Sequence, residues 1–199
     1  MVNENIVKQI KDYAELNNVP IMMDESINFI MKYIKDNHVK NILEIGTAIG
    51  YSAIMMSGVD SDIFITTIER DEKRYLEALK NVKKFDLEDR ITLLFNDALN
   101  LKLNEKFDLI FLDGAKGQNV NFFEHFERNL NEDGFIVTDN IDFHGYVKKD
   151  ESEIKSRNLR GLVRKIKAYI DYLKGNTTYH TTFYEKGDGI SVTTKRELR

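Results

Sequence analysis

The sequence Leu43-Glu44-Ile45-Gly46-Thr47-Ala48-Ile49-Gly50-Tyr51-Ser52 combines a short apolar run, two glycines and the start of a helical pattern. This order predicts a strand that ends in a glycine turn and continues into a helix. In an open parallel sheet such a turn lies at the carboxyl edge, where ligands bind. A dinucleotide-binding turn needs the pattern G-x-G-x-x-G, whereas Ala48 stands between Gly46 and Gly50 here. The turn is therefore either a ligand-binding turn of another kind or a tight connection without a ligand.

Other short runs of β-branched and aromatic residues extend the strand pattern along the chain. Nearly continuous apolar runs of this length are typical of strands that are buried on both faces. Amphipathic segments of helical length lie between them, one opened by Asp71 and one from Asn119 to Leu130. Alternating strands and helices predict right-handed crossovers and a mainly parallel sheet. The predicted strands are Asn41–Ile45, Ile63–Ile68, Ile91–Phe95, Phe107–Leu112 and Phe135–Thr138.

The two ends of the chain depart from this alternation. Asn3 to Leu16 and Asp24 to Lys35 have helical patterns, and Pro20 separates them, so residues 1–37 are predicted to form a helical cap over the sheet or the site. Near the other end, Tyr179–Tyr184 and Gly189–Thr194 are rich in β-formers and are joined by a short glycine-containing connection, which predicts an antiparallel hairpin. No repeat or linker divides the chain, so we expect one domain over 1–199, with 38–199 as its core.

Composition narrows the class of protein. The chain has 199 residues and a net charge of −4, with no long apolar run and no apolar leader after Met1, so a cytoplasmic protein without a membrane span is expected. It contains no cysteine, which excludes disulfides, cysteine-bound zinc, iron–sulfur clusters and thiol nucleophiles. Any metal must therefore have oxygen or histidine ligands.

Acidic side chains follow the first three predicted strands. Glu44 lies beside the glycine turn, where a carboxylate repels a pyrophosphate but attracts a cation such as the ammonium of an amino-acid moiety. Glu69 lies 23 residues beyond Gly46, near the spacing at which an acid accepts hydrogen bonds from ribose hydroxyls. Asp97, followed by Ala98, is placed to face an adenine. Glu69 is equally typical of a solvated capping charge, and Asp97 of a cap on the next segment.

A second group of polar side chains follows the fourth and fifth strands. Asp113 comes directly after the fourth strand, and Asp139 and Asn140 come after the fifth. Neighbouring parallel strands bring these three side chains to one edge of the sheet. Two carboxylates and an amide oxygen suit a hard cation such as Mg²⁺. The alternative is that they serve only as turn and cap residues.

Lys116, three residues after Asp113, is the first candidate for a general base. An ammonium near a divalent cation loses part of the stability of its charged form. A loop lysine that is simply solvated is the alternative. His144 lies in a polar loop and is a weaker candidate, whereas His125 falls between aromatic residues of a helix and is expected to be structural.

The segment from Lys148 to Lys174 is strongly basic. Nine basic against four acidic residues give it a balance of +5, which leaves −9 for the rest of the chain. Apolar residues at helical spacing occupy one side of a predicted helix from Arg157 to Leu173. The opposite side is suited to contacts with a phosphate backbone or is a solvated helix face. Its basic residues are Arg157, Arg160, Arg164 and Lys167.

Taken together, these motifs resemble the metal-dependent class I S-adenosylmethionine O-methyltransferases, which include catechol and caffeoyl-CoA O-methyltransferases. The resemblance extends from about Pro20 to Lys195. It implies a Rossmann-like α/β fold with a mostly parallel seven-stranded sheet, a C-terminal antiparallel hairpin and helices on both faces. It also implies S-adenosylmethionine and Mg²⁺ as cofactors. The motif residues carried over for the cofactor are Met22, Glu44, Gly46, Ser52, Glu69, Asp97, Ala98 and Asp113; those for the metal are Asp113, Asp139 and Asn140, with Lys116 as the catalytic lysine.

Within that family, Asp113-Gly114-Ala115-Lys116-Gly117-Gln118 and the segment 157–163 are similar to bacterial tRNA 5-hydroxyuridine methyltransferases. This likeness implies a tRNA substrate bound through the basic stripe and a homodimer, with no membrane or DNA partner. Catechol and 5-hydroxyuridine both offer two adjacent oxygens to a metal ion, so the motifs leave a small phenolic substrate as the alternative. A non-catalytic Rossmann-type nucleoside-binding or oxidoreductase module is a third possibility, which Ala48 disfavours.

Overall fold

The computed structural model describes residues 4–196, and within them the strands form one seven-stranded sheet of order β3-β2-β1-β4-β5-β7-β6. The first five strands are parallel, whereas β7 pairs antiparallel with both β5 and β6. This arrangement confirms the predicted mostly parallel sheet and its C-terminal hairpin. The strands are β1 (Asn41–Ile45), β2 (Phe64–Glu69), β3 (Ile91–Phe95), β4 (Phe107–Leu112), β5 (Leu130–Asp139), β6 (Tyr179–Tyr184) and β7 (Ile190–Lys195).

Helices cover both faces of the sheet. Successive residues of a strand point to opposite faces, so Ile42 packs against the helices of one face and Leu43 against those of the other. This geometry explains why the central strands are almost continuously apolar. The helices are α1 (Glu4–Leu16), α2 (Asp24–Asp36), α3 (Tyr51–Ser57), α4 (Glu72–Lys84), α5 (Asn119–Phe126) and α6 (Arg157–Gly175).

The N-terminal helices share the core of one face. Ile10 of α1 and Ile30 of α2 are buried in the same apolar cluster as Ile54 of α3 and Phe111 of β4. The link between α1 and α2 contains Pro20, and it passes over the carboxyl edge of the sheet. The expected cap is therefore present from Glu4 onward, while Asn3 lies outside the described residues.

The largest difference from the predicted elements is in β5. It begins at Leu130 rather than Phe135, and the helix predicted to end at Leu130 ends at Phe126 and continues as a short 3₁₀ turn. The early part of β5 carries polar residues, and its pairing with β4 is irregular near Phe107, so no apolar pattern marks it. Among the described helices, none is long and apolar enough to cross a membrane.

Candidate active site

A cavity of about 260 Å³ opens at the carboxyl edge of the sheet, where the loops after β1 to β5 meet. This is the edge at which open α/β sheets bind ligands. The link before α2 forms part of the wall through Pro20 and Ile21. The cavity brings together most of the predicted site residues: Met22, Gly46, Glu69, Asp97, Ala98, Asp113, Lys116, Asp139 and Asn140.

The glycine turn after β1 packs directly against the loop after β4. Gly46 has a φ of +104°, and a Cβ there would lie 2.7 Å from the carbonyl oxygen of Asp113. A side chain is excluded at this position by both backbone conformation and contact. Ala48 also has a positive φ, of 47°, and its N–H donates to Glu69 Oε2 at 2.8 Å. The glycine at position 46 is therefore needed for the close packing of two loops that both border the cavity.

Glu69 ends β2 and is held by backbone donors from two loops. Its Oε2 accepts from Ala48, while Oε1 accepts from the N–H groups of Arg70 at 2.9 Å and Asp71 at 2.8 Å. The side chain is buried but lines the cavity. Three backbone hydrogen bonds fix the carboxylate before any ligand arrives, and Oε2 keeps acceptor capacity for a ribose hydroxyl.

Glu44 and Ser52 do not line the cavity, in contrast to the position expected for cofactor ligands. Ser52 Oγ donates to Glu44 Oε1 at 2.5 Å and Thr67 Oγ1 donates to Glu44 Oε2 at 2.5 Å, all beneath the glycine turn. Burial raises the pKa of Glu44 to about 7, against the lowering effect of these two hydrogen bonds. The structure therefore gives both residues a supporting position behind the loop.

The far end of the cavity combines a capping acid with two arginines. Asp97 Oδ1 accepts from the Leu99 N–H at 3.1 Å, and Asp97 Oδ2 lies 3.3 Å from Arg70. Arg70 and Arg74 also line the cavity, although no sequence motif predicted them. Arg70 directly follows β2 and Arg74 lies in the first turn of α4, so their position after a strand that ends at the ligand edge is the signal that could have marked them.

The other end contains two carboxylates that lack compensating partners. Burial, followed by the charge of Asp139, raises the pKa of Asp113 to about 8. Burial also raises the pKa of Asp139, although the Asn140 N–H and Lys116 act in the opposite direction. Asp139 Oδ1 has no hydrogen-bond partner within the described residues. Two carboxyl groups that disfavour their charged forms, one with an orphaned oxygen, fit a bound cation.

Lys116 occupies the centre of this group. Its Nζ donates to Asn140 Oδ1, the amide oxygen predicted as a metal ligand, and its charge lowers the pKa of both carboxyl groups. Asn140 has a φ of 60°, a left-handed conformation that asparagine tolerates better than most residues. The described residues contain no group of three or more histidine or acidic side chains suited to a metal. The predicted set has two carboxylates and an amide.

The two histidines considered as bases, His125 and His144, do not line the cavity. His125 Nε2 is 2.6 Å from the Leu101 carbonyl oxygen, and its ring packs on Phe126, which fits the structural role expected for it. The backbone N–H of His144 donates to Asp188 Oδ1, and its largely exposed ring lies 3.5 Å from Asp188 Oδ2. Neither imidazole is placed to remove a proton inside the cavity.

The predicted basic stripe lies on α6, but three of its four members have partners within the chain. Arg160 donates to the Ile154 carbonyl at 2.6 Å, Arg164 binds Glu151 through two nitrogens, and Lys167 donates to the Lys149 carbonyl at 3.1 Å. These contacts attach the segment 149–155 to α6. Arg157 stays exposed, and Lys165 lies beside Gly117, where an added Cβ would be 3.0 Å from its Cδ.

Comparison with known proteins identifies relatives across nearly the whole chain. A family model described as O-methyltransferase matches residues 2–195. Among solved structures, a candidate caffeoyl-CoA O-methyltransferase from Staphylococcus aureus has a TM-score of 0.90 and 36% sequence identity, covering 96% of this chain and 92% of that one.

Curated relatives give the same assignment. A caffeoyl-CoA O-methyltransferase of Populus kitakamiensis is 26% identical over 92% of this chain and 80% of its own length. A catechol O-methyltransferase of Niastella koreensis is 32% identical over 57% of this chain and 54% of its own. The matches to two Arabidopsis thaliana relatives span 65% of those proteins. The chain therefore belongs to the O-methyltransferase family, in the class I group of caffeoyl-CoA and catechol O-methyltransferases.

Proposed function

We propose that this chain is an S-adenosylmethionine-dependent O-methyltransferase that methylates the 5-hydroxyl of 5-hydroxyuridine at the wobble position of tRNA. One observation carries the proposal: a single cavity joins the preorganised acid Glu69 to the carboxylates of Asp113 and Asp139. A nucleoside-bearing donor fits along the first part and an oxygen nucleophile beside the second. Methyl transfer requires this side-by-side placement, because the oxygen must approach the methyl carbon in line.

On the cofactor side, Glu69 would accept a ribose hydroxyl through Oε2, and Asp97 and Ala98 would border the adenine. The Gly46 turn would border the donor, because Gly46 lines the cavity. Met22, only 6% exposed, would cover the donor from the N-terminal side. Glu44 and Ser52 would act through the turn, because they contact its underside and not the cavity.

On the substrate side, Asp113, Asp139 and Asn140 would hold a Mg²⁺ ion. When bound, this ion supplies a positive charge that lowers the pKa of a neighbouring hydroxyl and fixes two adjacent oxygens. Lys116 Nζ lies among these side chains and, in its neutral amine form, would accept the hydroxyl proton, while Asn140 Oδ1 would face the cation instead of Lys116. The orphaned Oδ1 of Asp139 supports this assignment.

The basic surface beside the cavity favours the RNA substrate over a small phenol. Helix α6 crosses the turn that follows Lys116, so the segment with a balance of +5 borders the proposed base. A phosphate backbone would gain from this charge, whereas catechol would not. A wobble base lies in a single-stranded loop and is already accessible to such a cavity.

A small catechol-like substrate is the second candidate. The relatives named for caffeoyl-CoA and catechol support it, because catechol presents two adjacent oxygens as 5-hydroxyuridine does through its 5-hydroxyl and O4. The phosphates of a coenzyme A ester would also be attracted to the basic surface. The two substrate classes therefore have to be separated by measurement.

Nucleoside analysis of tRNA tests the proposal directly. In a strain that lacks the protein, mass spectrometry should show that 5-methoxyuridine disappears and 5-hydroxyuridine accumulates. Unchanged 5-methoxyuridine would refute the tRNA assignment. The purified protein should restore the modification in vitro with S-adenosylmethionine and Mg²⁺, and transfer to a catechol at a higher kcat/KM would favour the second candidate.

Charge reversal tests whether the basic surface contributes to tRNA binding. Arg157→Glu with Lys165→Glu should lower kcat/KM on tRNA about tenfold and reduce its salt dependence, because phosphate contacts are lost. Both side chains are exposed, whereas Arg160 and Arg164 have structural partners that make their variants ambiguous. Lys84→Glu with Lys102→Glu, two exposed lysines outside the segment, provides the matched control and should retain full activity.

A further inference from the structure

The link between α1 and α2 covers the cavity and leads directly into the first turn of α2. Pro20, Ile21 and Met22 line the cavity, and α2 begins directly after them at Asp24. The N-cap residue Met23 offers no side-chain hydrogen bond to the first turn. Helices without such a cap lose stability in their first turn. Contacts of Asp24 with α1 and α3 hold the N-terminus of α2, and the position of the cavity cover also depends on a further contact of the first turn.

The β6–β7 turn supplies that contact from a distant part of the chain. Glu25 in the first turn of α2 accepts from the Gly187 N–H at 3.0 Å through Oε2, and its Oε1 lies 3.3 Å from Lys186 Nζ. Ser26 is fully buried against the same turn, and a Cβ added at Gly187 would overlap its Oγ. Gly187 has a φ of +55°, so glycine is required here by conformation and by space.

The same turn also holds the loop that follows the predicted metal ligands. Asp188, buried at 5% exposure, accepts from the His144 N–H, and its carbonyl accepts from the Asp142 N–H at 2.9 Å. The Gly189 carbonyl accepts from the Ile141 N–H at 3.1 Å. One turn is thus attached to both the cavity cover and the Asp139–Asn140 loop.

We propose that the Gly187–Asp188 turn is a clamp that positions the Pro20–Met22 cover over the cofactor through Glu25 and Ser26. This inference rests on the proposed cofactor site. Glu25 and Gly187 are positioning residues, because neither lines the cavity. Without the clamp, the first turn of α2 frays and the cover no longer encloses the donor. The clamp should therefore affect donor affinity more than the chemical step.

Calorimetry with S-adenosylhomocysteine, the demethylated product, measures the clamp without requiring a methyl acceptor. Glu25→Ala should raise the dissociation constant about tenfold, the scale of one charge-assisted hydrogen bond. Glu25→Gln keeps an oxygen acceptor for the Gly187 N–H and should remain within about twofold of the wild type. Glu25 is exposed, so neither variant should change Tm appreciably.

Gly187→Ala tests the contact from the other side. It should weaken binding at least as much as Glu25→Ala, because the added methyl displaces Ser26 and the first turn of α2. Gly145→Ala is the matched control, since Gly145 also has a positive φ, of 76°, but has open space around its Cβ position. It should cost similar backbone strain and leave the dissociation constant unchanged.

Hydrogen exchange of the Ile27 amide reports on the first turn of α2 directly, because this N–H donates to the Met23 carbonyl at 3.0 Å as the first hydrogen bond of the helix. Exchange should accelerate in Glu25→Ala and Gly187→Ala but not in Glu25→Gln or Gly145→Ala. Wild-type affinity and exchange in both disrupting variants would overturn the clamp while leaving the proposed function intact. A wild-type protein that does not bind S-adenosylhomocysteine would overturn the proposed function itself.

Discussion

The acidic side chains at the two ends of the cavity differ in how many hydrogen-bond partners the folded chain supplies to them. Glu69, at the cofactor end, accepts three backbone hydrogen bonds, which fix its carboxylate without any ligand. Asp113 and Asp139, at the substrate end, have raised pKa values, caused first by burial, and Asp139 keeps an orphaned oxygen. One end is thus assembled by folding alone, and the other is electrostatically incomplete without a cation.

This difference predicts how each end of the cavity affects folding stability when no ligand is bound. A preorganised acceptor binds a neutral hydroxyl without rearrangement, and it contributes to stability even when the cavity is empty. Carboxylates whose pKa is raised by burial oppose folding when they are charged, and a bound cation would offset that cost. The same carboxylate-to-amide substitution should therefore have opposite effects at the two ends.

The largest effect is expected at the incomplete end. Asp139→Asn should lower kcat about 1,000-fold, the scale for loss of an electrostatic catalytic group. Its affinity for S-adenosylhomocysteine should stay near the wild-type value, because Glu69 and the Gly46 turn are unaffected. In the absence of Mg²⁺ the variant should be more stable than the wild type, since a buried charge has been removed. Calorimetric binding and thermal unfolding measure the two quantities separately, and loss of cofactor affinity would contradict the metal assignment.

A smaller effect of the opposite sign is expected at the completed end. Glu69→Gln should weaken S-adenosylhomocysteine binding about 30-fold, because a charged acceptor for a ribose hydroxyl is lost. It should also lower the free energy of unfolding by about 1 to 3 kcal/mol, since the amide cannot accept all three backbone N–H groups. Urea titration checks the stability change. An increase in stability like that expected for Asp139→Asn would remove the distinction between the two ends.

The residues of both ends could be predicted because parallel topology gathers the carboxyl ends of strands at one edge. Glu69, Asp113 and Asp139 each end or follow a strand, and the crossover rule alone places them together. The number of hydrogen bonds that each carboxylate accepts could not be predicted, because it depends on backbone N–H groups supplied by neighbouring loops. The sequence also could not show that Glu44, inside β1, faces the supporting network below the turn.

The basic stripe shows a second limit of sequence patterns. Helical spacing correctly placed Arg160, Arg164 and Lys167 on a polar side of α6, but it could not reveal that the segment 149–155 folds back on them. That return depends on the loop after Asn140, in which Phe143 and His144 have positive φ values. A conformation of this kind has no sequence signature in residues that normally avoid it.

The comparison also predicts how stability depends on pH. Folding raises the pKa of Asp113 from 3.8 to about 8, so between these values the native state retains a proton that the unfolded state has released. The free energy of unfolding should therefore fall as pH rises through this range. In Asp113→Asn this contribution is absent, so the variant should exceed the wild-type Tm at pH 8, and the difference should shrink toward pH 4. Thermal unfolding without Mg²⁺ measures both curves.

Asp150→Asn is the matched control for this pH dependence. Hydrogen bonds from Ser152 lower the pKa of Asp150, so its contribution is complete above pH 4 and is lost only below it. The control should leave the slope between pH 4 and 8 unchanged. Glu44, with a pKa raised to about 7, adds to that slope in both proteins, so Asp113→Asn should reduce the slope without abolishing it. If stability falls with pH between pH 4 and 8 at the same slope in Asp113→Asn and in the wild type, the ionisation of Asp113 does not oppose folding.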